Sequence, residues 1–209
     1  MELKLQFGTL NIGEKELARL DELGYTAKDL EGEIRCHTCD PDCGTPAIYC
    51  GTYAKYNSGS LKGMWIDLTS FSDYDFFIEF CNALHCDEDD PELMFQDYAN
   101  FPEELYSESG FDEDSFDAIL KYMELCDDYE KDAVDAFIDC RGCDYLDNFE
   151  EAYQGKWDDE EDFAKNIVNE CYDLSKMGDL EYYFDYDKYA RDLFNYDYDF
   201  VDGYVFRYL

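Results

Sequence analysis

The strongest constraint on folding is the negative charge of the last two-thirds of the chain. Residues 71–209 contain 42 Asp and Glu against nine Lys and Arg, within a whole-chain net charge of -37. Large rings separate the acids: residues 181–200, EYYFDYDKYARDLFNYDYDF, hold six acids and nine aromatic side chains. Disordered acidic segments are poor in aromatic residues, whereas this chain is 18% aromatic and 46% hydrophobic. We therefore expect a folded protein with rings inside and carboxylates outside.

The same charge limits the classes of partner. A strongly negative surface repels nucleic acid and anionic membranes, so we expect neither as a partner and predict a basic protein instead. An acidic face is ordinarily just a solvated face, but here it recurs in five successive predicted elements with few compensating Lys or Arg. Acidity that serves only solubility, as in halophiles, fits poorly with the abundant rings and with residues 46–70, which contain one acid and two lysines.

The charge also allows a comparison with DNA. Residues 71–209 have a net charge of -33, which corresponds to roughly 56 Å of duplex at one charge per about 1.7 Å of axis. A compact globule formed by residues 46–209 would be roughly 40 Å across. An elongated chain of small domains could therefore approach the charge density of DNA.

Length, cysteine usage and hydropathy indicate the compartment. The 209 residues suffice for one large domain or two or three small ones. We find neither an apolar run long enough to span a membrane nor a signal peptide. The ten cysteines are then expected to be reduced thiols, which predicts a cytoplasmic location.

Hydrophobic periodicity predicts the elements. Residues 47–68, AIYCGTYAKYNSGSLKGMWIDL, read as two strands around a turn at 57–59. Helical spacing follows from Ser72, and a second hairpin is predicted at 196–208 around Asp202-Gly203. Further helices are predicted at 111–126, 130–140, 158–171 and 185–194, and a small helical element at 14–34. The fold class is therefore α+β, with short antiparallel sheets near both ends of 46–209 and acidic amphipathic helices between them.

Catalytic and calcium-binding patterns are not apparent. The chain has two histidines and no recognised nucleophile, phosphate-loop or dinucleotide motif, so we expect no enzyme and no cofactor. The segment 197–203, DYDFVDG, superficially resembles a calcium-binding EF-hand loop. The match fails because Val201 occupies a ligand position and Gly203 comes one residue late.

The segment 36–43, CHTCDPDC, is a sharper candidate for metal binding. Cys36, Cys39 and Cys43 could supply thiolates to zinc, because a Cys-x-x-Cys pair fits tetrahedral geometry. A second well-spaced pair is missing, since Cys50 lies on a predicted strand. For the other cysteines of the chain, we expect buried free thiols.

Several stretches resemble one protein family. Residues 47–68 resemble the opening of ArdA-type antirestriction proteins, in which a first strand leads to K-Y-N-x-G-x-L-x-G-x-W. The stretches QDYANFPEEL (96–105), FEEAYQGKWDDEEDFA (149–164) and DYDKYARDLF (185–194), and the terminal GYVFRYL, follow in the family's order. The resemblance covers residues 46–209 and leaves residues 1–45 as an extension without an assigned role.

The resemblance implies a fold and a function. The family consists of elongated, three-part, usually dimeric proteins of mobile elements that imitate bent B-form DNA and occupy the DNA-binding groove of type I restriction–modification enzymes. It implies domains at 46–108 (β-hairpin plus helix), 109–147 (central, helical) and 148–209 (C-terminal, α+β), and a homodimer. An acidic decoy or chaperone for another basic DNA-binding protein remains the alternative, because charge does not name a partner.

We predict a distributed binding site formed by the acids of the helical segments, in which no single member is essential. The candidates are Asp112, Glu113, Asp114, Asp117, Asp127, Asp128, Glu130, Asp132, Asp135, Asp139, Asp158, Asp159, Glu160, Glu161 and Asp162.

Overall fold

The computed structural model describes residues 1–108 and 111–209, which form two compact units, Met1–Met123 and Glu124–Leu209. The predicted α+β fold class is confirmed, because helices and short antiparallel sheets occur together in each unit. The predicted domain boundaries stay predictions, and residue 109, where the central domain was expected to begin, lies outside the described residues.

The described elements include the predicted helices and strand pairs, together with strands that were not predicted. The α-helices are α1 Glu14–Glu22, α2 Ala27–His37, α3 Tyr53–Asn57, α4 Tyr74–Leu84, α5 Glu113–Asp128, α6 Lys131–Arg141, α7 Phe149–Ala152, α8 Glu160–Cys171 and α9 Tyr186–Tyr196. The strands are β1 Glu2–Lys4, β2 Thr9–Asn11, β3 Ala47–Thr52, β4 Met64–Asp67, β5 Leu93–Ala99, β6 Tyr153–Lys156, β7 Tyr198–Val201 and β8 Tyr204–Arg207. Short 3-10 segments occur at Pro41–Cys43, Leu68–Ser70, Glu103–Leu105, Cys143–Asn148 and Leu174–Tyr183.

The first predicted strand pair forms as expected, but its connection is not a simple turn. β3 pairs antiparallel with β4, and the short helix α3 takes up Tyr53, which the sequence analysis placed among strand positions. Gly59 has a φ of 77°, which a residue with a side chain adopts rarely. At Gly63 a Cβ atom would lie 2.3 Å from the Cys50 carbonyl oxygen, so only glycine fits there. The two glycines of the K-Y-N-x-G-x-L-x-G-x-W motif are thus needed for different reasons: Gly59 for its backbone conformation, and Gly63 because a side chain would clash with the neighbouring strand.

Residues 1–45 fold against the sheet of the first unit. The three-stranded sheet of this unit has the strand order β4-β3-β5, so β4 is an edge strand, and β1 and β2 form a separate two-stranded sheet. On its open side, Phe7 pairs with Gly63 and Thr38 pairs with Ile66. The Gln6 side chain accepts a hydrogen bond from the Trp65 N–H at 2.7 Å and donates one to the Cys39 carbonyl at 2.6 Å. The extension therefore covers an edge that would otherwise present unpaired backbone groups.

Aromatic rings fill both cores. In the first unit, the Phe77 ring stacks on Phe95 and Phe116, with centroids 5.6 Å apart in each pair. In the second unit, the ring centroids of Phe137 and Phe206 lie 5.3 Å apart, and both side chains are buried. Each short element contributes few buried positions, so large side chains supply most of the buried apolar area.

The three-stranded sheet of the second unit has the strand order β6-β8-β7. The predicted terminal hairpin is confirmed: β7 pairs antiparallel with β8 around Asp202-Gly203. Asp202 has a positive φ of 49°, as the sequence Asp-Gly favours at a tight turn. α6 packs against both strands of this hairpin and presents its other face to solvent.

Candidate partner-binding surface

The predicted acids lie on the solvent side of three helices and the segments that precede them. Twelve of the fifteen residues are exposed, and Asp135, Glu161 and Asp162 are half-buried. Among the described residues, ion pairs with lysine engage three of the fifteen, namely Glu130, Asp135 and Glu161. Within the part of the chain that the structure describes, most of this negative charge is therefore not neutralised by ion pairs with lysine.

In the first unit, the acids gather at the N-terminus of α5. Asp112 accepts hydrogen bonds from the Ser115 hydroxyl at 2.8 Å and the Ser115 N–H at 3.0 Å. These two bonds, from the hydroxyl first and the backbone second, lower the pKa of Asp112. Glu113 and Asp114 follow in the first turn, where the partial positive charge of the helix terminus favours carboxylates. The same acidic residues thus stabilise the start of α5 and make the surface there negative.

In the second unit, α6 carries a stripe of carboxylates. Asp132, Asp135 and Asp139 are three and then four residues apart, which places them on one side of the helix. At a rise of 1.5 Å per residue, the stripe has one carboxylate per about 5 Å of axis, of the same order as the 3.4 Å between phosphates along one DNA strand. The opposite face is buried and consists of Ala133, Val134, Ala136, Phe137 and Ile138.

A shallow groove in the second unit brings acids of distant sequence together. It has a volume of about 330 Å³ and is lined by Asp132, Asp135, Lys156, Asp202 and Tyr204. Beside it, Glu130 accepts hydrogen bonds from the Tyr204 hydroxyl at 2.7 Å and from Lys156 Nζ at 3.0 Å. The same two bonds lower the pKa of Glu130, and the hydrogen bonds that Lys156 donates to the Tyr204 hydroxyl and to Glu130 raise the pKa of Lys156 well above its ordinary value. Glu130 is thus ionised and Lys156 is protonated at neutral pH, and acidic side chains outnumber basic ones at this groove.

The third cluster begins α8. Asp159 is the N-cap and accepts a hydrogen bond from the Asp162 N–H at 2.8 Å. Glu160, Glu161 and Asp162 form the first turn, and Glu161 pairs with Lys165 at 2.7 Å. The predicted helix at 158–171 is confirmed, and the residues that start it also make this terminus strongly negative.

The zinc interpretation of residues 36–43 is not supported. Cys36 is exposed on α2, while Cys39 and Cys43 lie in the loop that follows it. Within residues 1–108 and 111–209, no group of three His, Cys, Asp or Glu side chains is arranged to hold a metal ion. Spacing in sequence suggested three ligands, but the helix ends between the first and the second.

The sequence analysis missed a polar cluster inside the first unit. Lys55 is 8% exposed and His85 is fully buried. Lys55 Nζ lies 2.9 Å from His85 Nδ1, 3.0 Å from Asp87 Oδ1 and 2.6 Å from Glu88 Oε1, so its three protons have three acceptors. A lysine in a K-Y-N turn motif is expected to be exposed. Nothing in the local sequence indicates that α3 places the Lys55 side chain in the interior.

This cluster includes a Cys–His pair that no substrate can reach. His85 Nδ1 lies 2.9 Å from Lys55 Nζ, and the other ring nitrogen, Nε2, lies 3.9 Å from Cys50 Sγ. Burial opposes ionisation of Cys50, but hydrogen bonds from Cys81 and His85 outweigh it and lower the pKa of the Cys50 thiol. Cys50 and His85 have no exposed surface, so we assign the pair to the core.

Comparison with known proteins identifies the family. A sequence model described as Antirestriction protein (ArdA) matches residues 48–206, well over half of the chain. The chain belongs to the ArdA antirestriction family. No curated protein and no solved structure matches it.

Family membership confirms the predicted resemblance, and the match leaves residues 1–47 outside. ArdA members are antirestriction proteins, so the family itself associates this chain with antirestriction. In the described part of the chain, no helix has the length and apolar character needed to cross a membrane.

Proposed function

We propose that this ArdA protein inhibits type I restriction–modification enzymes by imitating B-form DNA. The acids of α5, α6 and α8 and the segments preceding them take the place of phosphates in the enzyme's DNA-binding groove. The observation that carries the proposal is a folded, exposed array of carboxylates in which three of fifteen are paired with lysine among the described residues. Family membership supports the antirestriction role.

The mechanism is electrostatic exchange. Lys and Arg side chains of a DNA-binding groove contact phosphates mainly through charge, and such contacts carry no sequence information. Carboxylates fixed on capped helices offer the same charge without bases to be read. The inhibitor therefore acts irrespective of the enzyme's target sequence, without catalysis or a cofactor, as a homodimer in the cytoplasm.

Neutralisation of matched sets of acids tests this proposal. The site variant changes six exposed acids to their amides: Asp114, Asp117, Asp127, Asp128, Asp132 and Asp139. The control variant changes six exposed acids outside the proposed site in the same way: Glu2, Glu14, Asp21, Glu22, Asp42 and Asp90. Both variants lose the same net charge, so only the position of the charge differs.

We expect the site variant to inhibit ATP-dependent cleavage by a type I enzyme at least about tenfold more weakly than wild type, because up to six modest ion pairs are lost together. The control variant should inhibit within about threefold of wild type, and Asp135→Asn alone within about fivefold. Equal losses in both six-residue variants would show that total charge, and not a defined surface, is responsible. Complete loss from Asp135→Asn alone would contradict a distributed site.

A further inference from the structure

A cavity in the second unit is lined by basic residues although the unit is acidic. It has a volume of about 390 Å³ and is lined by residues of α6, the Cys143–Asn148 segment, α7 and the end of the chain from Arg207 onward. Arg141 and Arg207 line it, and no Asp or Glu occurs among the described residues of its wall. Residues 124–209 contain 26 acids and eight basic residues, so a wall with two arginines and no acid is an exception in this unit.

The wall combines buried apolar groups with exposed polar ones. The side chains of Phe137 and Ala152 are buried, whereas those of Tyr145, Asn148 and Arg207 are exposed. Sites for small molecules commonly have volumes of roughly 300–1,000 Å³, an apolar lining and a few polar groups that fix the ligand. The size and composition of this cavity therefore suit a small amphipathic molecule.

Both arginines have hydrogen-bond donors that the described residues do not use. Arg141 Nη2 lies 2.8 Å from Asp199 Oδ2, but this buried nitrogen forms no hydrogen bond there, so the contact is an ion pair without a directed N–H. Tyr208 holds the pair in place: its hydroxyl donates to Asp199 Oδ1 at 2.7 Å, and its ring centroid lies 4.2 Å from Arg141 Cζ. Arg207 forms no ion pair within the described part of the chain, and the Asn148 side chain makes no capping hydrogen bond to α7.

We propose that this cavity binds a small aromatic monocarboxylate. The planar guanidinium groups of Arg141 and Arg207 donate to the two carboxylate oxygens, a geometry that arginine matches well. The aromatic ring of the ligand packs against Phe137 and Tyr145. Asp199 already compensates the charge of Arg141, so Arg207 supplies the one positive charge that remains. The many acids of this unit repel a dianion such as a phosphate monoester more strongly than a monoanion, which favours the carboxylate.

Titration of the full-length protein with benzoate, followed by NMR, tests the proposal. The reporters are the Nε–H signals of Arg141 and Arg207 and the backbone amides of Tyr145 and Tyr208. We expect these signals to shift in a saturable way with benzoate. Benzamide lacks the charge and acetate lacks the ring, so each should bind at least about tenfold more weakly than benzoate.

A pair of charge-matched variants locates the site. Arg207→Gln should weaken benzoate binding at least about fivefold, because a charged donor to the carboxylate is lost. Arg191→Gln removes the same charge from the same unit, but Arg191 lies on α9 and pairs with Asp187, so this control should bind benzoate within about twofold of wild type. Arg191 and Arg207 are both exposed, so neither change should prevent folding.

Three outcomes would overturn the proposal. The first is that benzoate leaves the four reporter signals unchanged, and the second is that benzamide or acetate binds as tightly as benzoate. The third is equal weakening by Arg207→Gln and Arg191→Gln, which would show that the net charge of the unit, and not this cavity, governs binding. None of these readouts involves a restriction enzyme, so the result is independent of the proposed antirestriction mechanism.

Discussion

Lys55 is the residue whose environment departs most from what its sequence context suggests. Its buried ammonium group contacts the buried His85, the half-buried Glu88 and the exposed Asp87, and Thr52 donates a hydrogen bond of 2.6 Å to Glu88. The pattern K-Y-N-x-G predicts a turn correctly, but the direction of a side chain depends on the short helix that the turn contains. The burial of a single lysine cannot be predicted without the tertiary structure, because lysine side chains ordinarily keep their charged end in water.

Replacing Lys55 should destabilise the first unit. In Lys55→Met the half-buried Glu88 and the buried His85 lose their hydrogen-bond donor, whereas Asp87 keeps its ion pair with Lys62, and we expect a loss of about 2 kcal/mol in the free energy of unfolding. Urea denaturation followed by Trp65 fluorescence, in a Trp157→Phe background, reports on this unit alone. Lys15→Met, on the exposed face of α1, should stay within about 0.5 kcal/mol of the parent. Equal stability of the two variants would show that the cluster contributes nothing.

The same cluster predicts a dependence on pH. Burial raises the pKa of Asp87, but hydrogen bonds from Lys62 and Lys55 outweigh it and lower the pKa below its ordinary 3.8. Because the folded-state pKa is lowered, the stabilisation is fully present above the ordinary value and is lost as the pH falls through the folded-state pKa. We expect the urea midpoint of the Trp65 signal to fall steeply below about pH 4, and less steeply in Lys55→Met. Parallel pH profiles of the two proteins would contradict this assignment.

At the scale of elements, helices were more predictable than strands. The helices at 113–128, 131–141, 160–171 and 186–196 lie within two residues of their predicted bounds, because each carries an apolar stripe and an acidic first turn. β5 was missed although Met94 and Phe95 are buried, since its pairing with β3 depends on residues more than 40 positions away. β6 was also missed, because a strand of four residues with one short pairing is too brief to show an alternating hydrophobic pattern in the sequence. The short strands of residues 1–45 were missed for the same reason.

The edge strand β4 gives a prediction for the N-terminal extension. Gln6→Ala removes the acceptor of the Trp65 N–H, so this amide should exchange with deuterium at least about tenfold faster than in wild type. Hydrogen exchange of assigned amides measures the change, and the Ile48 amide on the central strand β3 serves as the internal control. An unchanged rate at Trp65 would mean that the extension does not protect this edge.

At the scale of the whole molecule, charge was the most informative property of the sequence. The interleaving of rings and acids predicted a folded protein with a carboxylate surface, and the buried aromatic rings and the exposed helical acids agree with it. The zinc hypothesis gains no support, because Cys36 lies on α2 while Cys39 and Cys43 lie after it, and no group of three metal-ligating side chains is found among the described residues. The charge of a surface can be predicted from composition, whereas a metal site can be predicted only if the side chains that would bind the metal are known to lie close together in the folded chain.

The most direct test of DNA mimicry is a titration of ATP-dependent DNA cleavage by a purified type I restriction enzyme. The controls are an unfolded polyanion of equal charge and a type II restriction enzyme. We predict stoichiometric inhibition of the type I enzyme, no inhibition of the type II enzyme, and at least about tenfold weaker inhibition by the polyanion, since a fixed array loses less entropy on binding. Inhibition no stronger than that of the polyanion would contradict the account and point to a different basic partner.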